Sequence, residues 1–226
     1  MENFLRNLSL VLLLALPFVA AFVAGIGGFV WLCLGSLSWP VAVALKMPLA
    51  ACLSMLFGGA RLWMRAVALG FLSAACELGL AAASIAWLLP GGTVEHGVAF
   101  GAGAGGIEVL FLLAIAMRPG KVISTPAAGA PEEVSPDTFR TRWTFIVERA
   151  TALFGHAASR GLVWVSLRGQ LIAGLIALVL FAAVDAVATY GTSAKWDWLE
   201  ARTWRRFYGY ASAVALIEWG FLIALA

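Results

Sequence analysis

Apolar residues occupy this chain in long stretches separated by short polar breaks. A helix that crosses the hydrocarbon core of a bilayer needs roughly 20 mostly apolar residues, and stretches of about that length recur at 8–34, 41–59, 66–89, 97–117, 145–166, 169–190 and 207–225. The pattern predicts an all-α integral membrane protein with about seven transmembrane helices in one bundle. The first stretch is too long for the apolar core of a signal peptide and many others follow it, so it reads as a retained helix. The second is short and carries Lys46 and Pro48, which predicts a kink and a lysine that reaches an interface or pairs inside the bundle.

Two polar segments interrupt the stretches. Residues 119–143 open with a run rich in proline, glycine and alanine and carry Glu132, Glu133 and Asp137. They read as a cytoplasmic linker that divides a four-helix half, 1–118, from a three-helix half, 144–226. Residues 193–206 contain Trp196, Trp198, Trp204 and three arginines, which predicts an interfacial helix on the cytoplasmic leaflet. With seven spans, eleven basic residues (Arg6, Arg61, Arg65, Arg118, Lys121, Arg140, Arg142, Lys195, Arg202, Arg205 and Arg206) fall on the N-terminal side and only Arg168 on the other. The excess of positive charge places the N-terminus in the cytoplasm and the C-terminus outside.

Composition agrees with this class. Of 226 residues, 62% are hydrophobic and 12% charged, with a mean hydropathy of +0.95, far from the balance of a soluble domain. The net charge of +3 follows from basic cytoplasmic loops and implies no nucleic-acid partner; the lipid bilayer is the expected surrounding. Cys33, Cys52 and Cys76 all sit in apolar stretches without paired or metal-type spacing and read as small packing residues.

The candidate chemistry lies in ionisable residues within the spans, where a charge costs about 2.5–3.5 kcal/mol on insertion scales. Glu77 and Glu108 fall near the middle of the third and fourth spans. If those helices are neighbours, the two carboxylates meet and share a proton, a cation or a metal. Gly97, Gly101 and Gly105 repeat every four residues on the face that Glu108 extends, a pattern that permits close helix packing. Arg149, His156 and Arg160 share one stripe of the fifth span beside Glu148, and that stripe facing Glu77 and Glu108 forms an ion-pair network without chemistry. Asp185 lies near the cytoplasmic end of the sixth span, and Glu218 sits mid-span in the seventh and needs a partner.

At these residues the chain resembles the YhfC-type membrane peptidases, a family grouped with multi-helix intramembrane metalloproteases. The segment from Gly97 through Gly105 and Gly106 to Glu108 is similar to that family's run of glycines, a histidine, two glycines and a glutamate. Cys76-Glu77-Leu78-Gly79-Leu80 falls where the family has two glutamates followed by glycine and arginine. Glu148-Arg149 followed by His156 looks like a third segment, so the resemblance spans roughly residues 65–190. It implies a peptidase-like bundle with Glu77 and Glu108 as the catalytic candidates. Zinc is the metal it implies, with Glu108 and His156 as ligands. The departures are specific. Ala104 stands where the family's histidine pairs with the glutamate at i and i+4, Cys76 and Leu80 replace a glutamate and the arginine, and no histidine precedes Asp185. A catalytic zinc usually takes three protein ligands, and His156 is the one histidine within the spans. His96 lies about 18 Å along the helix from Glu108 at 1.5 Å per residue.

Three functions follow as expectations. The first is a catalytically degenerate relative, a pseudoenzyme that acts as a membrane scaffold or binds a transmembrane protein partner and needs no cofactor. The second is an active intramembrane metallopeptidase with a rearranged ligand set. The third is a proton-coupled carrier with Glu77, Glu108 and Asp185 as its relay. Nothing in the chain offers a nucleotide-binding loop or a Ser-His-Asp arrangement.

Overall fold

The computed structural model describes residues 2–25, 27–88, 91–116 and 139–226. They form α1 (Glu2–Val23), α2 (Gly28–Leu56), α3 (Leu62–Leu88), α4 (Val94–Ala116), α5 (Phe139–Leu167), α6 (Leu171–Ser193) and α7 (Ala201–Leu225). Helix is the form in which a long apolar segment satisfies all its backbone polar groups internally. Five of the seven, namely α2, α3, α4, α6 and α7, contain windows long and apolar enough to cross a membrane. Large apolar side chains lie bare on the outside of the bundle: Phe22, Leu56, Trp87, Leu171 and Ile223 are each at least 77% exposed. A surface of this kind fits contact with lipid rather than water.

Two boundaries differ from those read off the apolar pattern. The stretch 8–34 is not one helix: α1 ends at Val23 and α2 begins at Gly28. Gly25 and Gly27 take φ of 69° and 90°, a left-handed conformation that glycine adopts without a Cβ penalty and that breaks the helix. Conversely, the supposed gap at 35–40 is helical, and α2 continues through Pro40 and Pro48. The hydroxyls of Ser36 and Ser38 donate to the Leu32 and Gly35 carbonyls of their own helix, so these polar side chains need no loop.

Residues 193–206 do not make a helix of their own. They comprise the end of α6, a turn with Lys195 at φ 54°, and the first residues of α7. The tryptophans there pack against the bundle. Trp198 is buried, with ring centroids 5.7 Å from Trp196 and 5.0 Å from Phe207, and Trp204 Nε1 donates to Thr144 Oγ1 at 2.9 Å. Of the linker at 119–143, the part up to 138 lies outside the described residues, together with Glu132, Glu133 and Asp137, and 139–143 already belongs to α5. Cys33 and Cys52 are exposed on the outer face of the bundle and Cys76 is half-buried, so the first two are not core packing residues.

The hub is α5, which touches α1, α3, α4, α6 and α7. Its tightest neighbour is α4, pressed between α5 and α2. A Cβ on Gly101 would stand 2.8 Å from the Ala157 Cα, and one on Gly103 would run into the Leu32 carbonyl. The glycine stripe therefore sets the distance at which α4 side chains meet α5.

Candidate functional site

Close packing of α4 on α5 brings Glu108 to the basic stripe. Arg149 Nη1 donates to Glu108 Oε1 at 2.5 Å, and His156 Nε2 lies 2.8 Å from Glu108 Oε2. Arg149 Nη2 also holds the neighbouring Glu148 at 2.6 Å. One turn beyond His156, Arg160 Nη2 donates to Glu77 Oε2 at 2.9 Å, while Lys46 reaches Glu77 Oε1 at 2.7 Å and the Ser73 hydroxyl at 3.0 Å. Arg160 is itself tethered by the Ser159 hydroxyl at 3.0 Å and lies 4.8 Å from the centre of the Phe181 ring.

Thus the stripe of Arg149, His156 and Arg160 does face both acids. Glu77 and Glu108, however, do not form a shared carboxylate pair. α3 packs on α2, α5 and α6, whereas α4 packs on α1, α2 and α5, and each carboxylate has its own cations. Lys46 pairs inside the bundle rather than at an interface.

Lys46, Glu77, Glu108, Glu148, Arg149 and His156 line a cavity of about 220 Å³ together with Asp185 of α6 and Glu218 of α7. Neither of the last two takes part in the ion pairs above. Glu218, 2% exposed, has an oxygen, Oε1, with no partner among the described residues. The aromatic rings of Trp39, Phe181, Phe207 and Tyr208 complete the wall. His96 stands apart, against the Trp31 ring at 5.2 Å and the Thr93 backbone N–H at 3.1 Å.

Zinc does not fit this donor set. Both oxygens of Glu108 and the Nε2 of His156 are engaged with one another and with Arg149. Among the described residues no three His, Cys, Asp or Glu side chains converge in a way that would hold a metal ion. The arrangement instead holds helices together and leaves two carboxylates on a small, largely apolar cavity. Ser73, which meets Lys46 and Glu77, and Tyr208, which lines the cavity, are members that the apolar pattern does not single out. Ser73 was within reach of it, because it stands four residues before Glu77 on the same helical face. Tyr208 carries no such signal.

No protein-family model matches this chain, and neither curated proteins nor solved structures include a significant match to it.

Proposed function

We propose that this chain is a seven-span protein of the bacterial cytoplasmic membrane, N-terminus inside and C-terminus outside, which resembles YhfC-type peptidases but does not hydrolyse peptides. It acts as a membrane scaffold or binds a transmembrane partner. The observation that carries the reading is the state of Glu108. A fixed cation weakens a carboxylate as a metal ligand or general base by stabilising its charge, and Glu108 is paired with Arg149 and hydrogen-bonded to His156. The absence of a histidine at Ala104 points the same way. Seven spans are supported by length: α1 and α5, the two helices outside the apolar five, have 22 and 29 residues, or about 33 and 44 Å at 1.5 Å per residue, enough for a hydrocarbon core of about 30 Å. A relay through Glu77, Glu108 and Asp185 has less support, because two of its three acids are bound in ion pairs.

The test is metal analysis of purified wild-type protein and of Glu108→Gln and His156→Ala. The expected result is no stoichiometric zinc in any of them. One zinc per chain that disappears in both variants would overturn the reading in favour of a metallopeptidase with a rearranged ligand set.

A further inference from the structure

Three charged residues that the ion-pair network leaves unused stand together at the start of α7. Arg202, Arg205 and Arg206 lie in its first turns and are exposed. Their spacing of i, i+3 and i+4 puts them on one face, with Cβ atoms about 5–6 Å apart from one turn to the next, within the reach of an arginine side chain. None of the three takes part in an ion pair among the described residues. Arg205 Nε donates to the Ala201 carbonyl at 3.2 Å, which turns that side chain back toward the helix start. Glu200 acts on Arg202 through its charge, but its oxygens accept from the Arg202 and Thr203 backbone N–H groups and from the Thr203 hydroxyl.

The same face continues beneath the arginines as bare apolar surface. Packing fixes its direction: Tyr208, Ala211, Val214, Ala215, Glu218 and Leu222 are buried against the bundle, which leaves Gly209, Ala213, Leu216 and Gly220 exposed. These four follow the arginines at intervals of three and four residues and so share their stripe. A Cβ on Gly209 or Gly220 would meet nothing within 4 Å, so the stripe is open. α7 is long and apolar enough to cross a membrane. Its apolar run from Phe207 to Leu225 measures about 27 Å at 1.5 Å per residue, close to the roughly 30 Å of a hydrocarbon core. The arginines just before that run therefore stand at the level of the lipid headgroups.

We infer that this face of α7 binds an anionic phospholipid, with its phosphate among the guanidinium groups of Arg202, Arg205 and Arg206 and an acyl chain along Gly209 and Ala213. Guanidinium recognises phosphate through paired, charge-assisted hydrogen bonds. One charged end on a long apolar stripe matches an amphiphile with an anionic head and an apolar tail, whereas an acidic protein segment would match the charged end alone. The site does not rest on the scaffold reading, nor on which side of the membrane α7 begins.

Native mass spectrometry of the purified full chain in dodecyl maltoside, titrated with dioleoyl phosphatidylglycerol or dioleoyl phosphatidylcholine, tests the inference by counting bound lipid. The two share their acyl chains and phosphate, but choline cancels the negative charge of the second. Each arginine near an anionic surface is worth about fivefold in binding. Phosphatidylglycerol is expected to bind at least tenfold more tightly than phosphatidylcholine, and Arg206→Gln to reduce that preference about fivefold. Arg61→Gln removes the same charge just before α3, which packs on α2, α5 and α6 rather than on α7, and is expected to leave the preference unchanged. Equal affinity of the wild type for the two lipids would overturn the inference and leave the arginines to an acidic protein partner; that comparison needs no variant. Equal losses from Arg61→Gln and Arg206→Gln would overturn it by showing attraction to net charge alone. Displacement of phosphatidylglycerol by an equal concentration of inorganic phosphate would overturn it in favour of a site for the free ion.

Discussion

Replacing Glu77 with glutamine keeps the shape of the side chain and removes the one negative charge that Lys46 and Arg160 share. At the 2.9 Å of the Arg160 pair, two unit charges attract by about 6 kcal/mol at an effective dielectric constant near 20. The side chains are 4% and 2% exposed, so little water screens them, and desolvation of both ions offsets part of the attraction. Breaking such a pair from one side strands a buried cation and costs about 3–5 kcal/mol. In a chain of this size that lowers the melting temperature by roughly 6–20 °C. Arg160→Met is expected to cost roughly half as much, because Glu77 keeps Lys46 at 2.7 Å and no ion is left alone. The double variant is expected to be more stable than Glu77→Gln, since the remaining Lys46 is 27% exposed and still reaches Ser73 at 3.0 Å. Melting curves by tryptophan fluorescence, all in one detergent, measure the three differences. Destabilisation by Arg160→Met equal to that by Glu77→Gln would refute this account, as would a double variant that melts no higher than Glu77→Gln.

Gly101→Leu is expected to cost at least 1–3 kcal/mol by overpacking, because even a Cβ would stand 2.8 Å from the Ala157 Cα; crosslinking between cysteines placed on α4 and α5 would report the lost approach. Glu200, outside the spans, caps α7 by accepting from the Arg202 and Thr203 backbone N–H groups, and the hydrogen bonds from Thr203 hold its carboxyl below the ordinary carboxylate range. Its contribution is therefore complete above that range and is lost as pH falls through the lowered value. Glu200→Ala is expected to lower the melting temperature slightly at neutral pH and by nothing at acid pH, read from melting temperature against pH.

The apolar pattern makes the number of helices legible because each needs a run of fixed length, and all seven exist. It misplaces the first break because Leu8 to Leu34 is apolar throughout. The information lies in the backbone freedom of Gly25 and Gly27, which hydropathy does not register. It also puts a gap at Ser36–Pro40, where serine and proline look like loop residues, although Ser36 and Ser38 bond to their own helix. In the site, spacing alone places Arg149, His156 and Arg160 on one stripe and links Glu108 to the glycines. Which acid meets which cation depends on helix order in the bundle, which no spacing encodes. The expectation of a shared Glu77–Glu108 pair fails for that reason: α3 and α4 follow one another in the chain but pack mainly against different helices.

Apolar surroundings give helices no hydrophobic reason to associate, so small-residue packing and polar contacts hold them. The two are divided unevenly here. Within α2 to α5, glycine contacts coincide with ion pairs: Gly105 sits against Leu153 and His156 of α5, about one turn from where Glu108 meets Arg149 and His156. Apart from the Arg160 guanidinium over the Phe181 ring, the joints to α6 and α7 use neutral contacts. Gly70 lets α3 approach the α6 backbone at Ala182 and Ala186, the Trp219 indole donates to the Phe154 carbonyl at 3.2 Å, and the Thr151 and Ser212 hydroxyls meet at 3.3 Å. No ion pair among the described residues crosses to α6 or α7. Asp185 and Glu218 therefore stand at joints that no ion pair among the described residues holds. Neutralising Glu77 strands cations, but neutralising Asp185 or Glu218 strands no ion-paired partner, so Asp185→Asn and Glu218→Gln are expected to lower the melting temperature less than Glu77→Gln does.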